Sequence, residues 1–75
     1  MYKVKLDKVE MLKEGRTLVY LSEIIGLTTV HIGNILKGYK CTTLTAKAFI
    51  SIKEKISIND DKMEEFLNYY FDKIQ

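Results

Sequence analysis

Apolar residues along this chain alternate with polar ones only at the N-terminus; from residue 17 onward they recur every three or four positions. Tyr2-Lys3-Val4-Lys5-Leu6 has period two, which predicts a short strand or extended arm and offers, as an alternative dimer contact, an edge for pairing with its symmetry mate. Asp7 and Glu10 have capping-box spacing and predict a first helix that buries Val9, Met11 and Leu12 and stops at Gly15. Thr17 is the next N-cap, followed by Leu18, Leu21, Ile24 and Ile25 at helical spacing and a stop at Gly26. Thr28 opens a third helix with Ile32, Ile35 and Leu36 inward and Gly38 as its terminator. Residues 39–43 read as loop. Leu44 to about Ile56 reads as a fourth helix, with Ala48, Ile52 and Ile56 in one row beside Phe49. Ser57-Ile58-Asn59-Asp60 interrupts the pattern and offers caps. A last helix, about 61–74, carries Met63, Phe66, Leu67, Tyr70 and Ile74 on one stripe. The expectation is a single all-α domain over residues 1–75, a compact five-helix bundle with short connections and no internal repeat.

The two central segments carry most of the information. A helix ending at Gly26 leads into a turn, where glycine gives the backbone access to positive φ. A second helix follows at once. Ser22 is small where two crossing helices come close, and Leu27 and Ile32 fill the angle between them. Those are the steric requirements of a helix-turn-helix, with its core at about residues 17–38, whose second helix lies in the major groove of DNA.

The run LSEIIGLTTVHIGNILKG, residues 21–38, resembles the Cro/CI-type (XRE) helix-turn-helix family of phage and bacterial repressors. Leu21, Ser22, Ile25, Gly26, Leu27, Thr28, Ile32, Ile35 and Gly38 carry the match. Leu18 departs from it, standing where the family often has a glutamine that contacts phosphate, and Gly33 and Leu36 occupy positions that are commonly polar. The resemblance implies a lambda-repressor-like domain. It also implies sequence-specific binding of a double-stranded DNA operator by a small phage- or mobile-element-type transcriptional regulator, a Cro-like repressor.

Docking in the family's manner assigns roles by helical geometry. With Ile32 and Ile35 inward, Thr29, Val30, Gly33, Asn34 and Lys37 form the opposite stripe and become the base-reading set. Asn34 suits a bidentate pair with adenine; Val30 and the Thr29 methyl suit a thymine methyl. Gly33 lets the helix backbone come close to the groove. The helix N-terminus at Thr28 offers N–H groups to a phosphate, and Arg16, Thr17, His31, Tyr39 and Lys40 complete the phosphate contacts.

Charge and composition adjust this picture. Net charge is only +2, but residues 1–55 hold ten Lys/Arg against five Asp/Glu, whereas residues 56–75 hold two against five. A basic working part with an acidic tail suits a polyanion partner. So few cations make a monomer a weak binder and point to a homodimer reading two half-sites about 34 Å apart. Phe66, Tyr69, Tyr70 and Phe71 are the dimer-interface candidates, being more aromatics than one helix face needs for its own core. The same excess supports an alternative, the helix-turn-helix fold as a protein-binding module of the antirepressor or phage-inhibitor kind.

Other classes fare poorly. Cys41 is the single cysteine and His31 the single histidine, too few for a zinc set or an intramolecular disulfide. Cys41 next to Lys40 is the one thiol whose pKa a neighbour would lower, but it lacks a paired base. Asp7, Glu10, Glu14 and Glu23 are scattered over helix faces. No enzyme activity, metal or cofactor is expected. Without an apolar signal core or a spanning segment, the expected location is the bacterial cytoplasm, at the nucleoid, with no membrane partner.

Overall fold

A computed structural model describes residues 1–13, 17–24 and 26–74, the side chain of Thr17 excepted. The chain runs β1 (Tyr2–Val4), a 3-10 turn (Leu6–Lys8), α1 (Val9–Leu12), α2 (Thr17–Ile24), α3 (Thr29–Leu36), α4 (Thr43–Glu54), α5 (Met63–Tyr70) and β2 (Phe71–Lys73). The domain is thus mostly helical, with a small two-stranded sheet. Its Cα radius of gyration, 11.0 Å, equals the roughly 11 Å of a close-packed chain of this length, so the helices form one body.

Local chemistry explains where the middle helices begin and end. Thr28 and Thr42 are both extended, and each hydroxyl oxygen accepts from the backbone N–H three residues on, His31 at 3.1 Å and Thr45 at 3.2 Å. Each cap stabilises its helix by about 1 kcal/mol, because it satisfies an N–H that the helix cannot. Thr42 therefore belongs to the cap and Thr43 to α4, one residue earlier than the sequence pattern predicts. At the other end of α4 the stop is Lys55, left-handed at φ 57°, and the Ser51 hydroxyl donates to the Ile56 carbonyl at 2.6 Å. Ahead of α5 the Asp60 carboxylate accepts from Lys62 N–H at 2.8 Å.

The core draws on both strands and on α1 to α5, while the 3-10 turn buries no residue. Leu12, Leu21, Ile35, Phe49, Ile50 and Leu67 are fully buried, and Leu18, Leu27 and Phe66 pack half-buried against them. Several expected inward positions are not inward. Ile24 is 68% exposed and Met11 lies at the surface. On α4 the buried face is Ala46, Ala48, Phe49 and Ile50, while Ile52 and Ile56 are half-buried. The reason is that α2 and α5 both pack on α4, so its covered arc is wider than one i, i+4 row. Asp7 makes no capping bond, and Glu10 instead meets Lys13 at 3.5 Å in an exposed pair that contributes little. The expected stop at Gly15 and the inward Ile25 lie outside the described residues.

The largest departure is at the two ends of the chain. The last helix stops at Tyr70, and Phe71–Lys73 pairs antiparallel with β1 in the register Tyr2↔Lys73, Lys3↔Asp72, Val4↔Phe71. On its other side, Tyr2 exchanges two backbone bonds with Cys41, both 2.8 Å. β1 is therefore neither a loose arm nor an edge open to a symmetry mate at Tyr2. A helix continued to residue 74 would leave one side of β1 without partners, and unpaired backbone groups beside a core are costly. Phe71 seals the join. Its ring meets Tyr2 edge-on at 6.3 Å and Phe49 at 6.2 Å.

Phe71→Ala is expected to cost about 3–5 kcal/mol, a large part of the 5–15 kcal/mol available to a small domain. Urea denaturation measures this directly; a loss under 1 kcal/mol would show that the terminal clasp is dispensable.

Candidate functional site

α3 begins at the Thr28 cap and ends on Gly38, whose φ of +107° closes the helix with its N–H on the Ile35 carbonyl at 3.0 Å. Within it, Ile32, Ile35 and Leu36 are buried. Burial of those three turns the positions at i, i+1, i+4, i+5 and i+8 from Thr29 the other way. Thr29, Val30 and Lys37 are exposed, and Gly33 and Asn34 are half-buried. All five predicted base-reading residues thus share one face. Val30, an apolar β-branched residue, is 72% exposed at its centre.

Gly33 has ordinary helical backbone, and a methyl group built there would meet nothing within 4 Å. Neither φ nor crowding within the domain calls for glycine at this position. Gly26, between α2 and α3, differs: its φ of +68° is the left-handed conformation that a side chain disfavours. Leu27 packs half-buried beside it, and the Ser22 hydroxyl donates back to the Val19 carbonyl at 2.9 Å.

Of the predicted phosphate contacts, Thr28, His31, Tyr39 and Lys40 are exposed around the two ends of α3. Arg16 and the Thr17 side chain lie outside the described residues. α3 and its sequence flanks also carry no acid. From Ile24 to Lys53 the chain has no Asp or Glu, while Lys37, Lys40, Lys47 and Lys53 fall within that run. Lys37 and Lys40 have no ion-pair partner among the described residues.

One cation escapes a local reading. Lys3, on β1, brings its Cε to 3.5 Å from the point where a Gly38 side chain would start, with Leu6 at 3.8 Å. Its position there depends on the Tyr2–Cys41 pairing, which joins segments far apart in sequence. The period-two pattern does mark Lys3 as outward, but not outward over the end of α3.

The aromatic candidates separate. Tyr70 and Phe71 are buried in the domain's own core, which accounts for much of the apparent excess and corrects their assignment to a dimer face. The Tyr70 hydroxyl donates to the Glu54 carboxylate at 2.6 Å, and its ring stacks on half-buried Phe66. Tyr69 alone stays well exposed, with the Lys8 ammonium 4.2 Å from its ring centre and Met11 sulfur 3.9 Å from its hydroxyl.

Cys41 is likewise not a reactive loop thiol. It is buried beside Tyr2, and burial pushes its pKa up to about 11, against the lowering expected from Lys40. Among the described residues no three His, Cys, Asp or Glu side chains gather in a way that holds a metal ion, and no helix is long and apolar enough to cross a membrane.

No protein-family model, curated protein or solved structure matches this chain.

Gly33→Ala is expected to stabilise the domain by up to about 1 kcal/mol, since alanine is the better helix former and the space is open. In thermal unfolding that amounts to a rise of about 4–8 °C for a domain of this size. A fall in melting temperature would mean that the position is constrained from within the fold.

Proposed function

We propose that this protein is a small helix-turn-helix regulator that binds double-stranded DNA sequence-specifically, with the outward face of α3 in the major groove. The observation that carries this reading is the character of that face. It combines an exposed Val30, hydrogen-bonding Thr29 and Asn34, a glycine that the fold itself does not need, and, at one end, two lysines without an ion-pair partner among the described residues, in a stretch of chain that contains no acid. An apolar side chain and a missing side chain on a solvated helix are mildly unfavourable choices. They make sense where a thymine methyl and a close groove wall are the neighbours. The positive φ at Gly26, the Thr28 cap and the inward Ile32 and Ile35 agree with the Cro/CI-type pattern at residues 21–38.

Energetics favour two copies on one duplex. Phosphate neutralisation supplies much of the affinity of such modules, and from Thr28 to Cys41 the chain carries only two Lys/Arg residues, Lys37 and Lys40. A homodimer doubles that count and reads two half-sites one helical turn apart. The regulator would then repress or compete at its operator according to its own concentration.

A protein-binding role for the same domain rests on a narrower observation, the exposed Tyr69 against Met11. Tyr70 and Phe71, being in the core, add nothing to that surface.

The test is sedimentation of the full chain with a duplex selected from a random-sequence pool, at two salt concentrations. Binding is expected to weaken steeply with salt, and Asn34→Ala and Lys37→Ala together should weaken it at least tenfold without loss of fold. If both variants act normally while Tyr69→Ala abolishes function, the protein-binding reading replaces this one.

A further inference from the structure

Lys3 is placed by the fold in a way that its own strand does not explain. On β1 it is the outward residue between buried Tyr2 and Val4. Its direct cross-strand neighbour is Asp72, also exposed, and opposite charges at facing positions of a sheet normally attract. Lys3 nevertheless makes no ion pair with Asp72 or with any other described residue. Its aliphatic stem instead comes over Gly38, where a side chain would stand in ordinary contact with the Lys3 Cε. Gly38 is flanked in sequence by Lys37, and Lys40 precedes Cys41, the residue bonded to Tyr2. Three exposed lysines, on β1, at the end of α3 and in the following loop, thus stand on backbone segments that meet at one corner.

We propose that Lys3 is a phosphate-binding residue of the α3 interface, carried there by β1; this rests on the DNA-binding reading above. The sheet holds the residue in place at both edges. Tyr2 is bonded to Cys41 on one side, and Phe71–Lys73 pairs on the other, with Lys5 N–H on the Tyr70 carbonyl at 2.8 Å and its ammonium on the Asn68 carbonyl at 2.6 Å. A cation fixed by its strand loses less freedom on meeting a phosphate than one on a loose arm. The Lys37 and Lys40 charges near it also raise the local positive potential. Asp72 is the opposing charge, and it tempers the affinity of this corner.

Removing one phosphate contact from a duplex-binding protein lowers the slope of log K against log salt by about 0.9 and weakens binding to all sequences alike. Lys3→Gln is therefore expected to lower the slope by about one, reduce affinity several-fold at 0.1 M salt, and leave discrimination between sites unchanged. Lys3→Arg should keep the slope, and Asp72→Asn should tighten binding. Both positions are exposed, and circular dichroism of each variant checks that the fold is retained. The measurement is fluorescence anisotropy of the full chain on the selected duplex over a series of salt concentrations. A wild-type chain that binds with a steep slope, unchanged in Lys3→Gln, overturns the role of Lys3 and leaves the α3 reading standing. A wild-type chain that binds no duplex at any salt overturns both.

Discussion

Ile32, Ile35 and Leu36 must be inside, and the rest of the structure depends on that. Each removes an aliphatic side chain from water, a gain of about 1.5–3 kcal/mol apiece in a domain whose net stability is of the same order as their sum. Turning α3 half a revolution would expose all three and bury Lys37. The rotation of the helix is therefore set by its apolar side, and Thr29, Val30, Gly33, Asn34 and Lys37 have no choice but to face out. What the outward side can bind is a consequence of what the inward side has to bury.

A second constraint joins the ends of the chain. Phe71 lies between Tyr2 and Phe49, and β1 between Cys41 and β2, so the first and last residues of the domain hold the segment that follows α3. A domain this small buries only about 60% of its unfolded surface and needs every strong contact it can make. Burying Tyr70 and Phe71 serves that need. The same clasp brings Lys3 to the end of α3, which links a stabilising feature to the chemistry of the surface.

Much of this was legible in the residues. The positions of α2, α3 and α4, the Thr28 cap, the left-handed glycines Gly26 and Gly38 and the orientation of α3 follow from periodicity and capping chemistry, which act over a few residues. What was not legible is what depends on partners distant in sequence. Phe71 fits a helical stripe as well as a strand, and only the presence of β1 beside it decides between them. Ile24 has the right spacing to be buried, yet it lies exposed on α2. Cys41 reads as a loop thiol beside a lysine until Tyr2 is paired with it. Lys3 reads as an ordinary outward lysine until Gly38 is seen beneath it. The one cue in plain view was the absence of acid from Ile24 to Lys53, which spans the whole of α3 and both its flanks.

The claim that the outward face of α3 is the working surface is tested most directly by amide chemical-shift mapping. Labelled protein is titrated with duplex DNA at low and at physiological salt. The account predicts that Thr29, Val30, Gly33, Asn34 and Lys37 shift most, with the α5 amides nearly unmoved and all changes smaller at the higher salt. Shifts centred on Tyr69 and its α5 neighbours, or no shifts at either salt, would contradict it.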